Sequence, residues 1–562
     1  MQESRKDTNS ADRPSRRTLV GGVTLLFIVS LSVVYYFTPF VPQQLKYGAH
    51  QLRYDGSLQS SHAGLDVDKR RSQLISVLLP RDSVLVETNY GRLLGYAVRE
   101  QGKQVNAFLG IPYAKPPIGS LRFRKPRQAP SWSGLRDASR YSAQCVQYKP
   151  NRTYTPWISD EDNMSEDCLY LNVWQPTGAH DTPLKPVMVW FHGGAFFSGS
   201  TDLPLYDGRT LAAVGDVVVV TVNYRLGAIG FLDLKTASAS GNQGLYDQLM
   251  ALKWVNENIR YFGGNSEEVT IFGQSAGAIS VGLHYLSPLS QPYFKRGILE
   301  SGAPTVSRLF FERDSESTNK VPELSRRLGC HSGTEPIEGA RAEAVLECLR
   351  HVSIEDIMSA QRTLIDDMSL AFGPISGDEF LPDLPVNLLH DGELSENHKE
   401  VLIGVNRDEG SFFLHFLEPT VYGRMPHNLT YDEAIQLARR SFSFLPDKFA
   451  QLVFDMFLSW AKGREPDTVR AALSAFIGDS TFTCPATLFA ELLDHNEMQV
   501  YFYLFDHRVS HSPWPNWMGV IHFDEVPFVF GHPVRHPGLY QPHEVTLSRQ
   551  IMNAWVTFAK TG

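Results

Sequence analysis

Two uninterrupted apolar segments constrain the fold of this chain more than any other feature. Residues 187–191 read Val-Met-Val-Trp-Phe, and residues 217–222 read Val-Val-Val-Val-Thr-Val. A strand that is apolar at every position must be covered on both faces, which is typical of the parallel sheets in α/β proteins. Residues 245–259 carry apolar side chains at helical spacing and end just before Gly263 and Gly264. We therefore predict an α/β fold with a large, mostly parallel central sheet covered by helices, with further strands near residues 84–86, 93–97, 296–299, 400–404 and 500–505.

The first 82 residues differ from the rest of the 562-residue chain. Residues 18–38 are apolar and uncharged, and as a helix they would span roughly 31 Å, about the thickness of a bilayer core. Five basic residues precede this segment and few follow it, so the positive-inside rule keeps residues 1–17 in the cytosol. We predict a transmembrane signal anchor at 18–38, a flexible stalk at 39–82 and one catalytic domain at 83–562. Secretion after cleavage of a signal peptide is the alternative.

Sequons and cysteines fit an extracellular or lumenal domain. Three Asn-X-Ser/Thr sequons predict glycosylation at Asn151, Asn163 and Asn428. In an oxidising compartment, the spacing of the five cysteines favours two local disulfides and leaves Cys484 unpaired. The predicted pairs are Cys145 with Cys168 and Cys330 with Cys348. A net charge of −9 argues against nucleic acid as a partner.

Residues 267–278, Glu-Glu-Val-Thr-Ile-Phe-Gly-Gln-Ser-Ala-Gly-Ala, carry the strongest chemical signal. They predict a strand, a tight turn and a helix that opens with small residues. Gly273 and Gly277 leave room for a strained turn that exposes the hydroxyl of Ser275. At the start of a helix, the backbone N–H groups and the helix dipole stabilise developing negative charge. Ser275 is therefore the predicted nucleophile.

A glycine pair follows the strand at 187–191, in the segment His-Gly-Gly-Ala-Phe. Such a loop donates backbone N–H groups to an oxyanion in α/β-hydrolases. We predict an oxyanion hole formed by Gly194, Ala195 and Ala276, the residue after the nucleophile. His192 is predicted to shape this loop rather than to act as a base.

An acid and a histidine follow the predicted nucleophile in the order that α/β-hydrolases use. Residues 404–410, Gly-Val-Asn-Arg-Asp-Glu-Gly, place two carboxylates after a strand, and residues 519–523 place His522 in an apolar loop. His522 is the predicted general base toward Ser275, with Glu409 orienting it and Asp408 as the alternative acid. This chemistry needs no metal or cofactor.

Several blocks along residues 83–562 resemble type-B carboxylesterases and, among them, the cholinesterases. The blocks are residues 108–117, 165–174, 405–413 and 514–522, together with the segment around Ser275. The resemblance implies an α/β-hydrolase fold, Glu409 as the triad acid and the two disulfides proposed above. In cholinesterases a cysteine like Cys484 pairs with one near the C-terminus. The resemblance therefore favours a truncated C-terminal end, with a variant that lacks the last helices as the alternative.

The resemblance extends to residues that would bind substrate. Trp157 and Phe412 fall near the family's choline-binding aromatic residues, and Met368 and Leu370 replace two phenylalanines of its acyl pocket. Gln274 replaces a glutamate whose charge helps to hold the cation. The resemblance therefore implies a serine ester hydrolase for choline esters with an open acyl pocket. A general carboxylesterase for neutral or xenobiotic esters is the alternative, and a non-catalytic adhesion module of the neuroligin kind is disfavoured because all triad members are present. The oligomeric state stays undetermined.

Overall fold

The protein folds around a single large sheet. The computed structural model describes residues 82–147, 162–177, 183–306, 311–312, 320–364, 372–390, 400–417, 428–441 and 447–562. The sheet has eleven strands in the order β1-β2-β3-β7-β9-β8-β12-β13-β16-β17, with β4 beside β2. Its strands are β1 (Ser83–Thr88), β2 (Gly91–Glu100), β3 (Lys103–Pro112), β4 (Leu135–Asp137), β7 (Tyr170–Pro176), β8 (Lys185–Phe191), β9 (Val218–Val222), β12 (Gly264–Gln274), β13 (Arg296–Glu300), β16 (Glu400–Asn406) and β17 (Gln499–Phe505). Short strands outside it are β5 (Gln144–Cys145), β6 (Met164–Ser165), β10 (Asp233–Thr236), β11 (Ala239–Ser240), β14 (Phe311–Glu312) and β15 (Ile375–Ser376).

Helices cover the sheet. They are α1 (Arg209–Gly215), α2 (Gly227–Phe231), α3 (Gln243–Asn258), α4 (Ala276–Leu286), α5 (Val321–Arg327), α6 (Gly339–His351), α7 (Ile354–Arg362), α8 (Pro385–His390), α9 (Glu409–Leu417), α10 (Tyr431–Ser441), α11 (Asp447–Leu458), α12 (Pro466–Gly478), α13 (Cys484–His495), α14 (Val526–Val529), α15 (His532–Arg535) and α16 (Pro542–Thr561). A π-helical turn at Asp479–Thr483 joins α12 to α13.

The central strands alternate their apolar side chains between two separate cores. Val187, Val189 and Phe191 of β8 belong to one cluster, whereas Met188 and Trp190 belong to the other. Successive side chains of a strand point to opposite faces of the sheet, so each cluster lies on one face. This double coverage explains why β8 and β9 are apolar at nearly every position. The predicted α/β fold with a mostly parallel sheet is confirmed.

The strand directions place several strand ends at one edge of the sheet. Strands β9, β8, β12, β13, β16 and β17 pair in parallel, whereas β1, β2, β3, β7 and β9 pair in antiparallel fashion. The carboxyl ends of parallel strands meet at one edge of a sheet, where ligand sites of α/β folds lie. The loops that follow β8, β12, β16 and β17 carry the predicted oxyanion loop, nucleophile, acid and base.

Both predicted disulfides are present. Cys145 is bonded to Cys168 and Cys330 to Cys348, while Cys484 is an exposed free thiol at the start of α13. Both pairs confirm the predicted connectivity.

The predicted signal anchor at 18–38 and all but the last residue of the stalk lie outside the described residues. No helix in the part of the chain that the structure describes is both long and apolar enough to cross a membrane.

Candidate active site

Ser275 lies at a sharp turn between β12 and α4, with φ 57° and ψ −123°. Such a backbone conformation is costly for a residue with a side chain and persists only where the surroundings enforce it. The Ser275 N–H donates to the carbonyl of Glu300 at 2.8 Å, and the Ser275 carbonyl accepts from Ile279 at 2.9 Å. These bonds fix the turn between strand and helix. The Ser275 side chain stays partly exposed, as a nucleophile requires.

Two glycines make this turn possible. A Cβ on Gly277 would lie 2.0 Å from the carbonyl oxygen of Phe191, and a Cβ on Gly273 would lie 2.6 Å from the same atom. Both distances are far below van der Waals contact, so the backbones of α4 and β8 can approach this closely only with glycine. The predicted reason for the two glycines is therefore present in the structure.

The loop after β8 adopts the positive φ values of a strained turn. Gly194, Ala195 and Phe196 have φ values of 108°, 51° and 58°. This turn and the first residue of α4, Ala276, supply the backbone N–H groups that we predict as the oxyanion hole.

His192 is buried behind this loop and does not serve as a surface base. Its ring stacks on Tyr224 with centroids 4.5 Å apart, and its Nδ1 lies 2.8 Å from the Gly193 carbonyl. Burial lowers the pKa of His192 to about 4, so the imidazole is neutral near neutral pH. This environment agrees with the predicted role in shaping the loop.

Glu409 and His522 contact each other, although 113 positions separate them in sequence. The Oε2 atom of Glu409 lies 2.6 Å from Nδ1 of His522, and both side chains are about 1% exposed. With Nδ1 held by Glu409, Nε2 is the ring nitrogen that remains for the predicted role as general base. Asp408 points elsewhere: its Oδ2 accepts from the Val520 N–H at 2.8 Å and from Arg407. The geometry therefore favours Glu409 over Asp408 as the acid.

Two aromatic rings that the sequence analysis did not assign to the site pack on His522. Phe482 lies 4.5 Å from the imidazole between centroids, and Phe413 lies 5.1 Å from it. Phe413 follows directly after the predicted site residue Phe412, so a signal for it was present. Phe482 comes from the π-helical turn and has no local sequence signal. Both rings cover the imidazole of His522, the predicted base, with apolar surface.

Gln274 is buried between the oxyanion loop and the base. Its Nε2 lies 3.0 Å from Nε2 of His522. Because Nδ1 of a neutral His522 donates to Glu409, its Nε2 is an acceptor and the Gln274 amide N–H donates to it. A Cβ on Gly193 would lie 2.8 Å from Oε1 of Gln274, so the glycine makes space for this amide. The side chain at position 274 thus contacts the ring nitrogen of His522 that we predict to accept the proton of Ser275.

The remaining predicted substrate residues divide into two groups. Trp157, Met368 and Leu370 lie outside the described residues, as does the sequon at Asn151. Phe412 is fully buried and packs edge-on against Phe413 and Trp514. The other two sequon asparagines, Asn163 and Asn428, are exposed.

Two further carboxyl groups are buried beneath the Glu409–His522 pair. Burial raises the pKa of Glu525 well above its usual range, and the nearby Glu300 and Glu409 raise it further. Burial also raises the pKa of Glu300, against a hydrogen bond of 2.7 Å from Trp555. Both groups are therefore held on the protonated side near neutral pH.

Comparison with known proteins identifies the family of this chain. The model of the Carboxylesterase family matches residues 82–562. The chain belongs to the carboxylesterase family. It is 38% identical to a cholinesterase of Mus musculus over 493 residues, which are 86% of this chain and 79% of that protein. It is 37% identical to an acetylcholinesterase of Bungarus fasciatus over 485 residues, 85% of this chain and 78% of that protein. This membership makes the chain a carboxylic ester hydrolase.

Proposed function

We propose that this carboxylesterase hydrolyses its substrates through an acyl-enzyme formed on Ser275. The observation that carries the proposal is the buried contact of 2.6 Å between His522 and Glu409, beside a serine on a strained strand-to-helix turn. A nucleophile, a base and an acid that orients the base are the parts that serine acyl transfer requires.

The proposed reaction proceeds in two halves. Ser275 Oγ attacks the ester carbonyl carbon while its proton passes to Nε2 of His522, and Glu409 stabilises the imidazolium that forms. The N–H groups of Gly194, Ala195 and Ala276 donate to the oxyanion, and each such donor is typically worth about 10²–10³ in rate. The imidazolium then protonates the leaving alkoxide. Water repeats the sequence on the acyl-enzyme and releases the acid.

Choline esters are the proposed substrates. The support is the identity of 38% and 37% to proteins named cholinesterase and acetylcholinesterase. Aromatic faces attract a quaternary ammonium by ~0.5–2 kcal/mol each, and Phe413 and Phe482 line the base. The replacement of two acyl-pocket phenylalanines by Met368 and Leu370 favours acyl groups larger than acetyl.

Neutral esters are the second candidate, and Gln274 favours them. A neutral amide offers no charge to a substrate cation, and the nitrogen of this amide is engaged by His522. A site that recognises its substrate by aromatic and apolar contact binds a neutral alkyl group nearly as well as a cation.

The test compares thioesters that differ either in charge or in the length of the acyl group. We expect hydrolysis of acetylthiocholine, butyrylthiocholine and the neutral isostere 3,3-dimethylbutyl thioacetate, with butyryl preferred over acetyl. We expect Ser275→Ala to abolish all three activities and to prevent labelling by a fluorophosphonate, with an unchanged melting temperature. Ser280→Ala, five residues further along the chain in α4 and fully buried, is the control for a serine lost from the same helix and should keep its activity. Full activity in Ser275→Ala would refute the mechanism.

We also propose that the catalytic domain is extracellular or lumenal and tethered to the membrane by residues 18–38. The two disulfides support an oxidising compartment. Protease protection and glycosidase sensitivity in intact microsomes test this placement.

A further inference from the structure

Asn406, the last residue of β16, lies between the segments that carry the acid and the base. It is 1% exposed. Its backbone N–H donates to Oε1 of Glu409 at 2.7 Å. Its side-chain amide donates to the carbonyl of Ile521 at 2.8 Å and to Oε2 of Glu525 at 2.5 Å. One residue therefore binds the acid itself and both flanks of His522.

The Asn406 amide binds the backbone directly beside His522. Ile521 directly precedes His522, so its carbonyl sets the path of the backbone that carries the imidazole. Three other hydrogen bonds also join the acid turn to this loop: Ser411 Oγ donates to the Met518 carbonyl at 2.7 Å, Asp408 Oδ2 accepts from the Val520 N–H at 2.8 Å, and the Asp408 N–H donates to the Val520 carbonyl at 2.9 Å. Those links end two to four residues before His522, whereas the Asn406 amide reaches the residue next to it.

Glu525 completes the arrangement from the other side of His522. It lies three positions after the histidine, is fully buried and accepts from the Asn406 amide. A protonated carboxyl can accept this bond without placing a second negative charge next to Glu409. A glutamine at 525 would offer the same acceptor oxygen.

We propose that Asn406 is a positioning residue, whose side-chain amide sets the distance between Glu409 and His522 by holding Ile521 and Glu525. The proposal rests on the proposed serine mechanism. Asn406 touches neither the substrate nor Ser275 in this role, and it acts through the geometry of the acid–base pair. A displacement of about 1 Å at such a pair can cost about 10²-fold in rate.

The test is Asn406→Ala, which keeps the backbone bond to Glu409 and removes only the amide. We expect kcat for a neutral thioester to fall by about 10–100-fold with KM within about 3-fold of wild type. Fluorophosphonate labelling of Ser275 should slow by a similar factor.

Asn258→Ala is the matched control. Asn258 is also fully buried and bridges two segments, since its amide donates to the Trp254 carbonyl and its Oδ1 accepts from Asn89. Asn258→Ala should have a lower melting temperature than wild type and an unchanged kcat. If Asn406→Ala does not fold, Asn406→Ser replaces it with the same expectation, because a serine hydroxyl is too short to reach Ile521. An unchanged kcat in the Asn406 variant, or an equal loss in both asparagine variants, would overturn the proposal. Failure of the proposed serine mechanism would give a different result from failure of the Asn406 proposal. In that case wild type would hydrolyse no ester, or Ser275→Ala would remain active.

Discussion

Gln274→Glu is the change that most directly probes the electrostatics of this site. Glutamate has nearly the shape of glutamine, so the space over Gly193 can hold it. The new carboxylate would lie about 3.0 Å from Nε2 of His522, where the amide nitrogen lies now. A hydrogen bond that supports the neutral imidazole would be replaced by an anion that supports the imidazolium.

The size of the effect follows from Coulomb's law. At an effective dielectric constant of about 20, unit charges roughly 3 Å apart attract by about 5.5 kcal/mol, and a substrate cation roughly 6 Å away is attracted by about 2.8 kcal/mol. Burial of the new anion costs several kcal/mol and offsets part of both values. We therefore expect a net effect of about 1–3 kcal/mol. This corresponds to a shift of about 1–2 pH units and to a selectivity change of about 5- to 150-fold.

The assay is kcat/KM between pH 5 and 9 for acetylthiocholine and for its neutral isostere. In Gln274→Glu we expect the acid limb of both profiles to move to higher pH, because the base must lose its proton before it can act. We also expect the ratio of cationic to neutral substrate to rise. Gln248→Glu is the matched control, because Gln248 is another buried glutamine that contacts a buried histidine, His284, at 3.0 Å. Unchanged limbs and an unchanged ratio in Gln274→Glu would refute the reasoning.

Two stability predictions follow from buried carboxyl groups of opposite behaviour. Burial raises the pKa of Asp524 from 3.8 to about 7, although the Ile521 N–H and the Arg508 charge oppose the shift. Between these two pH values the folded state holds more protons than the unfolded state. The free energy of unfolding therefore falls as pH rises through that interval. Asp524→Asn should raise the melting temperature at pH 8 and leave it unchanged at pH 4, and an equal gain at both pH values would contradict this. Burial alone would raise the pKa of Glu544, but hydrogen bonds from His507, Ser510 and the Gln541 backbone lower it from 4.5 to about 2. The ionised Glu544 therefore stabilises the folded state above pH 4.5, and this contribution is lost as pH falls toward 2. Glu544→Gln should lower the melting temperature at pH 7, and the difference should shrink by pH 3; a difference that is constant with pH would show that the charge is not involved.

The parts of the site that could be predicted from sequence depend on local sterics. Gly273 and Gly277 flank Ser275 because the backbone comes within 2.6 Å and 2.0 Å of where their Cβ atoms would lie, and such a constraint is visible in a short motif. The strands at 187–191 and 217–222 could also be predicted, because burial on both faces of the sheet makes nearly every position of a strand apolar. The order of nucleophile, acid and base then narrowed the candidates to Glu409, Asp408 and His522.

The parts that could not be predicted depend on packing between distant segments. Phe482 reaches His522 because a π-helical turn lies between α12 and α13, and no period in the sequence marks that turn. The sequence marks Gln274 as a substitution, but its contact with His522 follows from the space above Gly193. The role of Asn406 has no sequence signal, because an asparagine at a strand end usually only caps a turn. Its bonds to Ile521 and Glu525 exist only in the folded sheet.

These packing details bear on how a substrate cation would be recognised. Glu525 and Glu300 are held on the protonated side by burial, position 274 is a neutral amide, and the Glu409 carboxylate is committed to His522. Among the described residues of the catalytic centre, recognition of an ammonium group thus falls to aromatic faces such as Phe413 and Phe482. An aromatic contact is worth ~0.5–2 kcal/mol for a cation, which is about a 2- to 30-fold preference over a neutral isostere. Wild type should therefore prefer acetylthiocholine over its isostere by no more than this factor for each ring that contacts the ammonium group. A much larger preference would place an ionised carboxylate, or an aromatic residue such as Trp157, in direct contact with the cation.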